Sequence, residues 1–167
     1  ETLPGVELGE LLLSAGAMRV AFLGGRRGVA RRAFRNLAAK YPGLVPVFLQ
    51  DGYRYREERV GEKLEKSAPD LCFVCLGSPK QEILIDRLSH YSPRTLFVGL
   101  GGSLDVYAGK KRRAPAFFRR HGAEWLWRMG REPLRFLKLP TLFRYFFLSR
   151  AEGVLLWTKK AGEDRSF

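Results

Sequence analysis

The chain has little cysteine, little histidine and few acidic side chains for its 167 residues. Two cysteines cannot build a disulfide framework, and they suit a reducing compartment. The two histidines, His90 and His121, are too isolated to form a ligand cluster, and no Asp-x-Asp pair is present to hold a metal–diphosphate. These shortages favour chemistry that proceeds without a bound metal ion.

Long apolar runs are also missing. The richest stretch, residues 142–156, is interrupted by Arg144 and Arg150 and is shorter than the ~20 apolar residues that a spanning helix needs. The first residue is Glu1 rather than methionine, and the opening residues lack the basic region of a secretory signal. We therefore expect neither a spanning helix nor a signal peptide, and we expect the chain to begin within a longer protein.

Positive charge is concentrated near the carboxyl terminus. Residues 110–160 hold fourteen Lys/Arg against three acids, and so carry +11 of the formal +13. Such asymmetry predicts a polyanionic partner, either nucleic acid or an anionic membrane surface. Aromatic side chains recur among these cations, as in amphipathic helices at membrane interfaces, whereas no nucleic-acid-binding signature occurs. We expect a nucleotide-sugar-binding core at 1–109 and a basic, helical, membrane-associating appendage at 110–167, with a nucleic-acid-binding module as the alternative.

Four short apolar runs alternate with segments of helical periodicity. The runs are residues 18–23, 44–49, 71–76 and 96–100, and the helical segments are residues 27–40, 57–67 and 80–90. Continuous apolar runs are typical of strands buried on both faces, and strands that alternate with helices predict a parallel sheet. The fold class is therefore α/β, a Rossmann-like parallel sheet flanked by helices.

Cys72 and Cys75 form a C-x-x-C pattern that in other settings indicates a redox or zinc site. They fall within a run of strand formers, where residues three apart point to opposite faces of a sheet. We interpret them as structural core residues.

Each predicted strand is followed within two residues by a glycine-containing loop. The loops begin at Gly24–Gly25, Asp51–Gly52, Gly77–Ser78 and Gly101–Gly102. In open α/β sheets, ligands bind beyond the carboxyl ends of the strands, and glycine permits close backbone approach. A diphosphate or a nucleotide is the natural ligand. Because neither a full G-x-G-x-x-G nor a Walker motif is present, a tight turn without a ligand stays open for Gly24 and Gly25.

Two of these loops also carry polar side chains with alternative interpretations. Lys80 and Gln81 stand at the start of a predicted helix near the expected crevice, but Ser78 and Gln81 also have the spacing of a capping box. Asp105 suits hydrogen bonds to ribose or sugar hydroxyls, but it also suits the first turn of a helix.

An ordered set of short motifs resembles a known family. The set comprises FLGG at 22–25, YPGL at 41–44, DGY at 51–53, GSPKQE at 77–82, GLGGS at 99–103, Asp105, RRAP at 112–115, EWL at 124–126 and REPLR at 131–135. Each piece is weak, but their order and spacing, from about residue 4 to residue 140, resemble the WecG/TagA/CpsF glycosyltransferases of bacterial cell-surface polymer synthesis.

The resemblance implies a hexosyltransferase that moves an N-acetylmannosamine-type sugar, or its uronic acid, from a UDP donor to a polyprenyl-diphosphate-linked acceptor. The family is inverting and metal-independent, and it serves polysaccharide and teichoic acid synthesis from the cytoplasmic face of the inner membrane. The resemblance thus implies a peripheral membrane enzyme without a cofactor beyond its UDP-sugar substrate. A homo-oligomer is a further possibility.

The resemblance also implies roles for residues. Donor-binding residues would be Gly24, Gly25, Tyr53, Gly77, Lys80, Gly101, Gly102, Asp105, Arg112 and Arg113. Catalytic residues would be Gln81, Arg128 and Arg135. The family's proposed catalytic aspartate lies upstream of the segment that residues 3–7 resemble, so the general base is not among these residues. A catalytically silent UDP-sugar-binding scaffold is therefore the alternative function.

Overall fold

The computed structural model describes residues 3–110, which form a parallel sheet with helices on both faces. The elements are α1 (Gly5–Leu13), β1 (Met18–Gly24), α2 (Val29–Lys40), β2 (Leu44–Gln50), α3 (Glu57–Ser67), β3 (Leu71–Cys75), α4 (Lys80–Ser89), β4 (Leu96–Gly99) and α5 (Ser103–Tyr107). This arrangement confirms the predicted α/β class with a Rossmann-like parallel sheet. The expected appendage lies outside the described residues.

The four strands run in the spatial order β2-β1-β3-β4, and all three pairings are parallel. From β1 the chain first moves outward to β2 and then returns past β1 to β3. In doubly wound sheets of this order, the strand connections diverge between β1 and β3, which opens a crevice at the carboxyl ends of those two strands. The sheet order therefore places the expected ligand site next to the β1 and β3 loops.

Two separate cores hold the layers together. Successive side chains of β1 point to opposite faces, so Phe22 joins one core and Leu23 joins the other. The first core packs α1, α2 and α5 against the sheet, and its centre is a stacked ring pair, Phe22 and Phe73, with centroids 5.4 Å apart. The second core packs α3 and α4 through Leu64 and Leu88. Burial on both faces explains why β3, and β1 from Val20 onward, are apolar.

The outer strands depart from the expectation that all four runs are buried on both faces. In β2, Val45 and Pro46 are exposed, and Leu96 at the start of β4 is 53% exposed. An outer strand has a neighbour on only one side, so its apolar run lacks the cover that β1 and β3 receive. The expectation was wrong for β2 and β4 although their positions were correct.

Helix boundaries differ slightly from the predicted ones. Helix α2 begins at Val29 rather than Arg27 because Gly28 has a left-handed backbone, with φ +82°, and serves as the N-cap. Helix α3 ends at Ser67 as expected, and Ala68 follows in a left-handed conformation. Helices α1 and α5 were not predicted as elements. For α5, the interpretation of Asp105 as a first-turn residue did require a helix at that position.

The two cysteines occupy opposite cores, as the strand interpretation predicted. Cys72 lies in the core under α3 and α4, whereas Cys75 lies in the core under α2 and α5. Both are free thiols, and burial raises both pKa values, that of Cys75 to about 12. Protonated thiols on opposite faces of one strand are packing residues.

Candidate functional site

The loops after the four strands meet at one edge of the sheet. The Gly52 N–H donates to the Gly25 carbonyl over 2.9 Å, which joins the β2 loop to the β1 loop. The Leu100 N–H donates to the Val74 carbonyl over 3.0 Å, which continues the β3–β4 pairing to the beginning of the last loop. The sequence prediction that these loops share one edge is confirmed.

Glycines serve two different purposes in these loops. Gly24 has φ +144°, and a Cβ atom there would overlap the Cys75 carbonyl group, so the ends of β1 and β3 approach backbone to backbone. Gly77 and Gly101 also have positive φ, but a Cβ atom at either position would meet open space. Gly102 is equally unobstructed. The first glycine permits packing, and the other three leave bare backbone facing open space.

Gln81 links two of the loops through a single oxygen atom. Its Oε1 accepts the N–H of Gly101 over 2.9 Å and the N–H of Gly77 over 3.3 Å. Its Nε2 donates to Oε1 of Glu82 over 3.0 Å, and the side chain is only 8% exposed. The side chain of Gln81 therefore joins the β3 loop to the β4 loop. Its predicted catalytic role stays a prediction.

The capping-box interpretation of Ser78 and Gln81 was wrong. Helix α4 begins at Lys80 with Pro79 as its N-cap, and no side chain caps it. Gln81 therefore reaches Gly77 rather than the backbone N–H of Ser78. The spacing of the motif suits a reciprocal cap, but Gln81 Oε1 also accepts the N–H of Gly101, which lies in the loop after β4 and which the local pattern cannot anticipate.

The remaining predicted polar residues of the core lie around this edge. Lys80 is exposed at the first residue of α4, and Tyr53 is 75% exposed at the tip of the β2 loop. That loop is shaped by Asp51, whose Oδ1 accepts the N–H groups of Tyr53 and Arg54, each over 3.1 Å. Asp105 is half-buried in the first turn of the five-residue helix α5. The interpretation of Asp105 as a first-turn helix residue is therefore confirmed for its position. Its contact with ribose stays a prediction.

A cavity of about 250 Å³ adjoins the β1 loop and the end of β2. Arg27, Gly28 and Arg31 line one side, and Gln50 and Asp51 line the other. Sequence reasoning placed Arg27 and Arg31 on a helix without a role. The signal that could have found them is the presence of two arginines directly beside a glycine turn at the carboxyl end of a strand. The cavity extends the crevice toward β2.

Some predictions concern residues beyond this part of the chain. Arg112, Arg113, Arg128 and Arg135 lie outside the described residues, so their predicted contacts with the diphosphate stay predictions. Within residues 3–110, no group of three or more His, Cys, Asp or Glu side chains is placed to hold a metal ion. Over the same range, no helix is long and apolar enough to cross a bilayer.

Comparison with known proteins assigns the family. A family model described as the glycosyl transferase WecG/TagA/CpsF family matches residues 1–159. The chain belongs to this family. Its four glycine loops, the Gln81 link and Asp105 all lie within the matched region, so the features at the sheet edge belong to a WecG/TagA/CpsF domain rather than to an unrelated nucleotide-binding fold.

Two curated relatives carry the same name, N-acetylglucosaminyldiphosphoundecaprenol N-acetyl-beta-D-mannosaminyltransferase. The one from Bacillus spizizenii (strain W23) is 36% identical over 127 residues, which cover 76% of this chain and 49% of the relative. The one from Bacillus subtilis (strain 168) is 31% identical over 127 residues, which cover 76% of this chain and 50% of the relative. The chain thus spans about half the length of these two relatives.

Proposed function

We propose that this WecG/TagA/CpsF chain forms the donor-binding part of a glycosyltransferase. The substrate would be a UDP-linked N-acetylmannosamine-type sugar, and the acceptor would be a polyprenyl-diphosphate-linked glycan. Family membership and the names of the two relatives support the reaction class. The observation that carries the site is the bare glycine backbone of Gly77, Gly101 and Gly102 at the sheet edge where nucleotides bind.

The donor would lie across the loops that follow β1, β3 and β4. A Cβ atom at Gly77 or Gly101 would meet open space, so a diphosphate can approach the loops closely there, while the N–H groups of both glycines stay bonded to Gln81 Oε1. Lys80 supplies a cation beside it. Asp105 would accept hydrogen bonds from uridine or sugar hydroxyls, since carboxylates accept them strongly. Gln81 would keep the β3 and β4 loops at the separation that the donor needs.

The chemistry would be an inverting displacement. An acceptor hydroxyl attacks the anomeric carbon, the bond to the UDP oxygen breaks, and the hydroxyl proton passes to a base. UDP leaves with an added negative charge, which nearby cations stabilise. In the described residues Lys80 is the cation beside the proposed diphosphate position, and Arg112, Arg113, Arg128 and Arg135 are proposed to add to it.

The charge of residues 110–160 supports a reaction at the membrane surface. Each basic residue near an anionic bilayer surface contributes about 1 kcal/mol of attraction. Fourteen Lys/Arg in that segment would hold the enzyme peripherally at the membrane that carries its lipid-linked acceptor, on the cytoplasmic face where UDP-sugars are made.

Calorimetric titration of UDP into the chain, with EDTA present, tests the donor site. We expect saturable binding, and we expect Asp105→Ala to weaken it about 10- to 100-fold because a charged hydrogen bond is lost. Asp86→Ala is the matched control, since Asp86 is an exposed carboxylate on α4 away from the glycine loops. Unchanged affinity in Asp105→Ala, or equal loss in both variants, would refute the assignment of Asp105.

A further inference from the structure

A second cavity lies on the opposite face of β2, between that strand and helix α3. Its volume is about 420 Å³. Buried Phe48 and Val60 contribute apolar surface to it. Gln50 and Tyr55 add polar groups, and the remaining four lining residues are cationic, namely Arg54, Arg56, Arg59 and Lys63. Gly77, Gly101 and Gly102 do not line this cavity, and Gln50 is the residue that it shares with the smaller cavity beside the β1 loop.

The cations come together because of helical spacing. Arg56 is the N-cap of α3, and Arg59 and Lys63 follow three and seven residues later, so the three share one side of the helix. Arg54 joins them from the β2 loop, where the Asp51 carboxylate accepts its backbone N–H. Arg59 and Lys63, four residues apart, repel each other, and Glu62, three residues after Arg59, offsets part of that repulsion.

Helix α3 also carries Glu58, Glu62 and Glu65, but no carboxylate of the described residues forms an ion pair with these cations. Glu57 pairs instead with Arg87 of α4 over 2.7 Å, and Asp51 directs its Oδ1 to backbone N–H groups. Within residues 3–110, none of the four cavity cations forms an ion pair with a carboxylate. Lys63 instead places its Nζ 5.9 Å from the centre of the Phe48 ring. The helix therefore directs cations into the cavity and an acid toward α4.

We propose that the cavity between β2 and α3 binds a phosphate-bearing anion at a second site, separate from the donor crevice. A guanidinium group can donate two parallel hydrogen bonds to two oxygens of one phosphate, and three of the four cations are arginines. Phe48 and Val60 reduce the local solvent screening, which strengthens the attraction. The volume accommodates a phosphate together with a substituent. The anion is either a soluble phosphate or the headgroup of an anionic lipid, which share this chemistry.

Charge-matched variants of the whole chain test the proposal. Arg56→Gln/Arg59→Gln/Lys63→Gln removes three cavity cations. Arg32→Gln/Arg35→Gln/Lys66→Gln removes three exposed cations outside both cavities and changes the net charge equally. Inorganic pyrophosphate is titrated calorimetrically with UDP already present at saturation, so that the donor crevice is filled. In parallel, sedimentation measures binding to phosphatidylcholine vesicles with and without phosphatidylglycerol.

We expect the cavity variant to bind at least one probe about tenfold or more weakly than the control variant, because it loses directed contacts as well as net charge. An effect confined to pyrophosphate identifies a soluble phosphate, and one confined to the anionic vesicles identifies a lipid headgroup. Equal losses in both variants would reduce the effect to net charge and overturn the proposal. So would absence of any binding by the unmodified chain, or a cavity variant that loses UDP binding, which would make the cavity part of the donor site.

Circular dichroism of each variant confirms folding before binding is compared. If the triple variant does not fold, Arg59→Gln alone replaces it, with Arg32→Gln as its control. The failure of this proposal is distinguishable from failure of the proposed function, because UDP binding and its dependence on Asp105 are measured separately.

Discussion

Replacing Gln81 by methionine removes the one oxygen atom that two crevice loops share. Methionine keeps the length and most of the volume of the side chain, so the core beneath α4 stays filled. The change leaves the N–H groups of Gly101 and Gly77 without an acceptor. The perturbation therefore isolates the hydrogen bonds from packing.

The expected cost follows from the two geometries. The Gly101 bond, 2.9 Å long in a part-buried position, should account for about 1–2 kcal/mol, and the longer Gly77 bond for about 1 kcal/mol or less. We expect the free energy of unfolding to fall by about 1–3 kcal/mol. UDP affinity should fall as well, since the two loops lose their common restraint.

Urea unfolding followed by circular dichroism measures the first effect, and calorimetric titration of UDP measures the second. Gln50→Met is the matched control, because the Gln50 Nε2 makes one exposed hydrogen bond, to the Arg54 carbonyl over 3.2 Å. That variant should lose less than about 1 kcal/mol of stability. If Gln81→Met were no less stable than Gln50→Met, the two hydrogen bonds of Gln81 would not stabilise the fold measurably, and the prediction would be refuted.

Two further predictions concern the sheet. Gly24→Ala should destabilise the fold by about 2–4 kcal/mol, because a Cβ atom would overlap the Cys75 carbonyl at φ +144°, whereas Gly102→Ala should be nearly neutral in the same urea experiment. Stability should also decline as the pH rises above about 9. Burial holds the folded-state pKa of Cys75 near 12, above its unfolded value, so the unfolded state loses its thiol proton first, at up to about 1.4 kcal/mol per pH unit. Between about pH 9 and pH 10.5, the free energy of unfolding measured in urea should fall less steeply with pH for Cys75→Ala than for the unmodified chain. Equal slopes would contradict the raised pKa of Cys75.

The sheet was predictable from sequence because its signals are local. Continuous apolar runs marked every strand, and the glycine after each run marked its carboxyl end, so the position of the candidate site followed from topology rules alone. The placement of Cys72 and Cys75 on opposite faces needed only the two-residue period of a strand.

Features that depend on tertiary partners were not predictable. Gln81 matched a local capping pattern, but its acceptor oxygen serves Gly101, twenty residues away. The exposure of β2 and β4 depends on the order of strands in the sheet, which an apolar run does not encode. The cavity cations at Arg59 and Lys63 belong to a helix whose alternating charges look like an ordinary solvated surface until the neighbouring strand is placed beside it.

The two outer strands differ in how they would respond to an added strand. In β2, Pro46 lacks a backbone N–H, and the register with β1 passes from Pro46 directly to Phe48, so Val47 has no register partner on β1. Proline and irregular register both discourage another chain from pairing along an edge. Strand β4 contains neither device among the described residues. Among the described strands, β4 is therefore the outer strand whose backbone lacks these two obstacles, and a charged substitution of the exposed Leu96 should oppose strand pairing there without touching the crevice.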